Sequence, residues 1–173
     1  MPKNVILRNN ARRAASKLLN DKKNFSIPID VISIASALGY KVYSAKFKNN
    51  QISGGVKFLN EDAAVKGEIY VNENDSWQRQ RFTIAHEIGH CVLHREKHND
   101  GILENIDMFR NPNNHSEEEI EANEFAASVL MPENEVRKQW LKWRSTEILA
   151  DVFNVSLSAM SFRLFHLGYK GDW

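Results

Sequence analysis

The fold of this chain is most constrained by residues 81–95, RFTIAHEIGHCVLHR, where two histidines and a glutamate interrupt a run that otherwise reads as a core helix. At about 100° per residue, Phe82, His86, Gly89 and Leu93 fall on one narrow stripe with His90 beside them. Ile84, Ile88, Cys91 and Val92 occupy much of the remaining circumference. A helix that is apolar nearly all round sits inside a protein, so a carboxylate and imidazoles carried in with it need partners or a metal ion. The rest of the chain has to wrap this helix and supply what those groups lack.

His86 and His90 are four residues apart and point the same way one turn apart, the spacing that places two imidazole nitrogens on one zinc ion. Glu87 projects about 100° from His86, badly placed for a ligand but within reach of water activated by the metal, which suits a general base. The implied chemistry is metal-assisted amide hydrolysis, with Glu87 taking the proton of the attacking water and returning it to the leaving amine. An H-E-x-x-H string also arises by chance, with each histidine a hydrogen-bonded core residue. Its position on the buried face of an otherwise uncharged helix favours the metal.

A zinc hydrolase site needs a third protein ligand and an open fourth position. The segment EEEIEANEF concentrates acidic residues beside an apolar stripe of Ala122, Phe125, Ala126 and Val129. Periodicity places Glu118 on that stripe and Glu121 on its border, and spacing alone leaves the choice open. Most of these glutamates are accounted for by the positive end of the helix dipole, and Ser116 with Glu119 reads as a capping box.

At 173 residues with a net charge of +1, the chain suits one domain with a small helical appendage and has no global basic field to recruit nucleic acid or anionic membrane. The single cysteine, Cys91, excludes an internal disulfide framework and fits a reducing compartment. No signal peptide or membrane span is expected, and the expected location is cytoplasmic.

Residues Leu7 to Leu19 predict an amphipathic helix, and IPIDVISIASALG a second, opened by Pro28 and closed by Gly39. Three extended segments follow, YKVYSAKF, ISGGVKFLN and GEIYVN, separated by turn signals that suit an antiparallel meander. Asn74 or Asp75 is expected to cap the helix carrying His86 and His90. A polar loop from Glu96 to Asn114 leads to the acidic helix, which Pro132 ends, and helices over 133–143, TEILADVF and LSAMSFRLFHL complete the chain. The order predicts an α+β fold, with a domain over 1–143 and a helix-turn-helix-like segment over 144–173 packed on it. Trp77, Trp140, Trp143 and Trp173 read as core or interface anchors, and His98 and His115 flank the loop as lid candidates.

RFTIAHEIGH together with EANEFAASVLMP resembles the ImmA/IrrE family of zinc metallopeptidases, and GEIYVNEN and LADVFNVSLSAMSFRLFHLG extend the resemblance from about Ile27 to Gly168. The resemblance implies a zincin-like, gluzincin-type domain with a small antiparallel or mixed sheet, an active-site helix and a C-terminal helical segment. It implies that His86, His90 and Glu121, the Glu of E-A-N, ligate zinc, with Mn2+ or Fe2+ as cellular substitutes, and that Glu87 is the catalytic acid/base. His94 matches a histidine common at the end of the family's motif. On the wheel it lies between His90 and Glu87, which suits a supporting or oxyanion-stabilising role, or one at the helix C-terminus. Tyr43, Tyr70, Arg163 and His166 are further oxyanion candidates. The resemblance also implies that a helix-turn-helix repressor is cleaved, derepressing genes of a mobile element, a prophage or a stress response. Glu68, Ile69, Tyr70, Val71 and Asn72 are the expected substrate-binding edge strand.

The rival reading is a DNA-binding or toxin–antitoxin regulator that acts by binding. Against DNA, LSAMSFRLFHL offers only Arg163 as a permanent cation, where phosphate contact needs several. Against a structural zinc, such sites are closed by cysteine and histidine, and this chain has one cysteine.

Overall fold

The structure, a computed structural model, describes residues 3–21, 25–49, 51–59, 64–97, 103–104 and 116–169. His98, His115 and Trp173 lie outside that range. The elements run α1 (Lys3–Asp21), α2 (Val31–Ala37), β1 (Tyr40–Ala45), β2 (Gly54–Phe58), β3 (Gly67–Asn72), α3 (Trp77–Leu93), β4 (Leu103–Glu104), α4 (Glu117–Leu130), α5 (Glu133–Trp143), α6 (Thr146–Phe153) and α7 (Leu157–His166). Helices, a small sheet and helices again make the α+β arrangement that the sequence implies. No single helix among the described residues is long and apolar enough to cross a membrane.

Two caps fall elsewhere than expected. Asp30, rather than Pro28, opens α2, its carboxylate accepting from the N–H groups of Ile32 and Ser33. Ser76, rather than Asn74 or Asp75, caps α3 through the N–H of Arg79. In both cases a side-chain oxygen accepts from the first free helix N–H groups. Asn74 lies in the preceding turn, where its backbone N–H donates to Asn72 Oδ1.

The sheet is mixed, in the order β1-β3-β2-β4, and is not a meander. β3 inserts between its predecessors, parallel to β1 and antiparallel to β2. Alternation along β3 sends Ile69 and Val71 into the core with Ile84 and Ile88 of α3, while Glu68 and Tyr70 take the other face, half-buried. Gly54 allows β2 to lie close to this helix: a Cβ there would stand 2.5 Å from Thr83 Cγ2 and 2.4 Å from the Tyr70 carbonyl oxygen.

α4 packs between α1 and α3. Ala122, Phe125, Ala126 and Val129 form its fully buried stripe. Gly89 sets the approach of α3 to α4, since a Cβ at that position would lie 3.1 Å from Ala122 Cα and 3.2 Å from Phe125 Cδ1. The core continues without a break into α6 and α7 through Leu149, Phe153, Met160 and Leu164. Two arginines tie this C-terminal pair down. Arg81 donates to the carbonyl of Asn154, whose left-handed backbone (φ 51°) turns α6 into α7. Arg163, itself buried, donates to the Met131 carbonyl and to Glu124.

Candidate metal centre

Helix α3 carries His86, Glu87 and His90 inward, each 3% exposed or less. The Nε2 atoms of His86 and His90 stand 3.0 Å apart. The carboxylate that joins them is Glu119, with Oε1 3.0 Å from His90 Nε2 and Oε2 3.5 Å from His86 Nε2. Donor atoms around a tetrahedral zinc at about 2.0–2.1 Å lie about 3.3 Å from one another, so this triangle has the size of such a ligand set. His86, His90 and Glu119 together form a group able to hold a metal ion.

The resemblance assigned the third ligand to Glu121, and the structure places that residue elsewhere. Glu121 Oε2 lies 2.9 Å from His94 Nε2. The physical reason lies in the first turn of α4. The Ser116 hydroxyl accepts from the N–H of Glu119, which uses the glutamate's backbone and leaves its carboxylate to reach the histidines. Reading a capping box assigned that carboxylate to the helix terminus. Glu118, the other residue left open by periodicity, belongs to a different group, with His90 and His94.

Both histidines are oriented from behind. His86 Nδ1 is 3.2 Å from Asn123 Oδ1, and His90 Nδ1 is 3.2 Å from His94 Nδ1. Asn123 was not singled out in the sequence, although it is the N of E-A-N and lies one turn beyond Glu119. Gly89 was noted only as a stripe residue, yet it lets Ala122 approach closely enough for this part of α4 to meet the histidines.

Glu87 is buried, and among the described residues neither of its carboxylate oxygens has a hydrogen-bond partner. Burial, helped by the neighbouring charge of Glu119, pushes its carboxyl well above the usual carboxylate range. Burial opposes ionisation of Glu119 too, but hydrogen bonds and charge from His86 and His90 outweigh it and hold that carboxyl below its ordinary value. Burial lowers His90 and His94, favouring neutral rings, against the pull of Glu119 on the first and Glu121 on the second. Two imidazoles, a carboxylate and an orphaned carboxyl beside them are the donor set and the unmet demand of a metal site with water.

The other expected site residues make their contacts with other partners. Arg163 donates to Met131 and Glu124, which ties α7 to α4, and it also lines a groove of about 550 Å³. Tyr70 donates to Glu68 and stacks on Tyr43 at 5.6 Å, on the sheet face opposite Ile69 and Val71. Its phenol is raised by that bond to Glu68 and by burial. His166 lies near Arg8, on a groove of about 550 Å³ that Phe82 and Asn123 also line. The segment 68–72 is an internal strand with β1 and β2 on its two sides, so its backbone is already paired and cannot accept an added strand. Asn72 is spent locally, donating to the Ile52 carbonyl.

Residues 35–165 match the family described as the IrrE N-terminal-like domain, a family of peptidases. Metallopeptidase ImmA of Bacillus subtilis (strain 168) is 25% identical over 130 residues, covering 74% of this chain and 72% of that protein. A Mycobacterium tuberculosis transcriptional regulator superposes with a TM-score of 0.61 at 16% identity, over 95% of this chain and 52% of the regulator. The chain thus spans about half the length of that regulator, and the likeness is one of fold.

Proposed function

The chain belongs to the IrrE N-terminal-like family of peptidases and is a metallopeptidase of that family, and from this premise we propose a zinc-dependent, site-specific endopeptidase acting on a helix-turn-helix repressor. The observation that carries the chemistry is the convergence of His86, His90 and Glu119 beside the buried, partnerless Glu87. Zinc held there supplies a Lewis acid that polarises a peptide carbonyl and acidifies water. His86 and His90 present their Nε2 atoms, and Glu119 contributes the negative charge. Glu87 accepts the proton of the attacking water at its carboxylate and delivers it to the departing amine nitrogen. Nitrogen and oxygen donors suit zinc, and the same set accommodates Mn2+ or Fe2+.

The choice of a repressor as substrate rests on the resemblance, with the ImmA relative in its support. Because β3 is internal, the substrate backbone is better placed at β2. Among the described residues, β2 pairs with β4 only at Val56 and Lys57. The test is incubation of the zinc-loaded protein with a co-encoded helix-turn-helix repressor. A discrete cut that disappears in Glu87→Gln supports the proposal. Cleavage retained by that variant, or none in the unaltered protein with any divalent metal, rejects it.

A further inference from the structure

The three side chains His90, His94 and Glu121 form a line whose proton positions are fixed by chemistry. With Glu121 Oε2 accepting, His94 Nε2, 2.9 Å away, is the donor. A His90 that ligates a metal through Nε2 carries its hydrogen on Nδ1 and donates it to His94 Nδ1, 3.2 Å away. His90 Nε2 is left with its lone pair pointed toward His86 and Glu119. His94 is 1% exposed, which excludes water as a competing partner for most of the ring.

We propose that Glu121 and His94 are positioning residues, a carboxylate–imidazole relay that holds His90 in the tautomer and rotation presenting Nε2 to the metal. This rests on the reading of His86, His90 and Glu119 as metal ligands. His86 receives a neutral acceptor, Asn123 Oδ1, whereas His90 receives one that is backed by a negative charge. Supporting partners of this kind fix the ring and raise the basicity of the ligating nitrogen. The two carboxylates of E-I-E therefore have different tasks, Glu119 toward the metal and Glu121 behind a ligand. A rival use of the same atoms is a second cation among His90, His94 and Glu118. It requires His90 Nδ1 without a hydrogen, the opposite of what the relay demands.

The test compares zinc affinity, by competition with a chromophoric chelator, in the unaltered chain, Glu121→Ala, Glu121→Gln and His94→Phe. Histidine ring-nitrogen NMR reads the tautomers of the zinc-bound forms. The relay predicts one zinc per chain and a 10–100-fold loss of affinity in Glu121→Ala and His94→Phe. It predicts partial recovery in Glu121→Gln, which keeps an acceptor for His94, and a protonated His90 Nδ1 in the unaltered protein. Glu121 is the milder site, so Glu121→Ala with an unchanged circular dichroism spectrum decides the matter if His94→Phe does not fold. Affinity unchanged within about twofold in folded Glu121→Ala refutes the relay. So does a second equivalent of zinc that Glu118→Gln removes, or complete loss of zinc in Glu121→Ala, which marks that residue as a ligand. Failure of the unaltered chain to bind zinc refutes the metal reading itself and the relay with it. Zinc binding without cleavage leaves the relay standing and rejects only the peptidase step.

Discussion

Glu87→Gln should stabilise the metal-free protein, and the gain should grow with pH. The carboxyl is buried to 1% exposure with both oxygens lacking a partner, and burial together with the charge of Glu119 raises it well above its ordinary value of 4.5. Between that value and the raised one, the folded state holds a proton that the unfolded state has released. Stability therefore falls as pH rises through this window, by up to about 1.4 kcal/mol per pH unit for a single group. Glutamine keeps the shape and removes the titration. Glutamine leaves an unmatched polar group as well, so that cost of about 1–3 kcal/mol is common to both proteins, and the gain is the titrating part alone, at least about 1 kcal/mol at pH 8. For a chain of this size that is about 2–4 °C in Tm for each kcal/mol. Burial lowers His90 and His94, which produces the opposite limb: their contribution is present above the ordinary histidine value of 6.5 and is lost on acidification. Both proteins share that limb, so it cancels in the difference. The assay is urea unfolding of both proteins in chelator from pH 4 to pH 8. Curves that stay parallel across the range, or a variant less stable at pH 8, would refute the assignment of Glu87 as an unmatched buried acid.

Glu119→Ala should abolish tight zinc binding in equilibrium dialysis while leaving the helical circular dichroism signal in place, because the residue lies in the first turn of α4 and is satisfied mainly by the two histidines. In Gly89→Ala the added methyl meets Ala122 and Phe125 at 3.1–3.2 Å, so α4 must give way, with a loss of about 1–3 kcal/mol in denaturant unfolding and a measurable fall in zinc affinity. In Glu124→Ala, Arg163 is left buried without its carboxylate partner and Arg12 loses a 2.7 Å ion pair, which should cost about 3–5 kcal/mol, read by the same unfolding assay. Stripping zinc with a chelator should lower Tm, and adding it back should restore the original value, since a ligand that binds only the folded state stabilises it by mass action.

The helix of the motif, its inward histidines and the α+β order were legible because they rest on local periodicity. Four residues bring two side chains to one face whatever the surroundings. The sheet order was not legible in the same way. Short strands joined by turn signals look like a meander until the crossover that carries the chain past β3's place is known, and that is a tertiary fact. The same ignorance misplaced the substrate strand, because alternation reports which face is buried and not which edge is free. The oxyanion candidates shared this fault. Tyr70 and Arg163 are chemically apt, but one points away across the sheet and the other holds α7 to α4.

Glu119, the third member of the candidate metal site, shows how a correct local reading can hide a side chain. Ser116 caps α4 as its sequence indicates, but through the backbone of Glu119, and a cap made that way leaves the side chain available. Side chains at 119 and 121 project about 200° apart on a helix, so they cannot converge on the same two nitrogens. One reaches the Nε2 atoms of His86 and His90, while the other meets His94 one turn further along α3. Glu117 pairs with Lys3 at the surface. An acidic first turn thus serves the helix dipole as a group and the metal centre through individual members. Composition predicts the first role, and only the approach of α4 to α3 at Gly89 determines which glutamate takes the second.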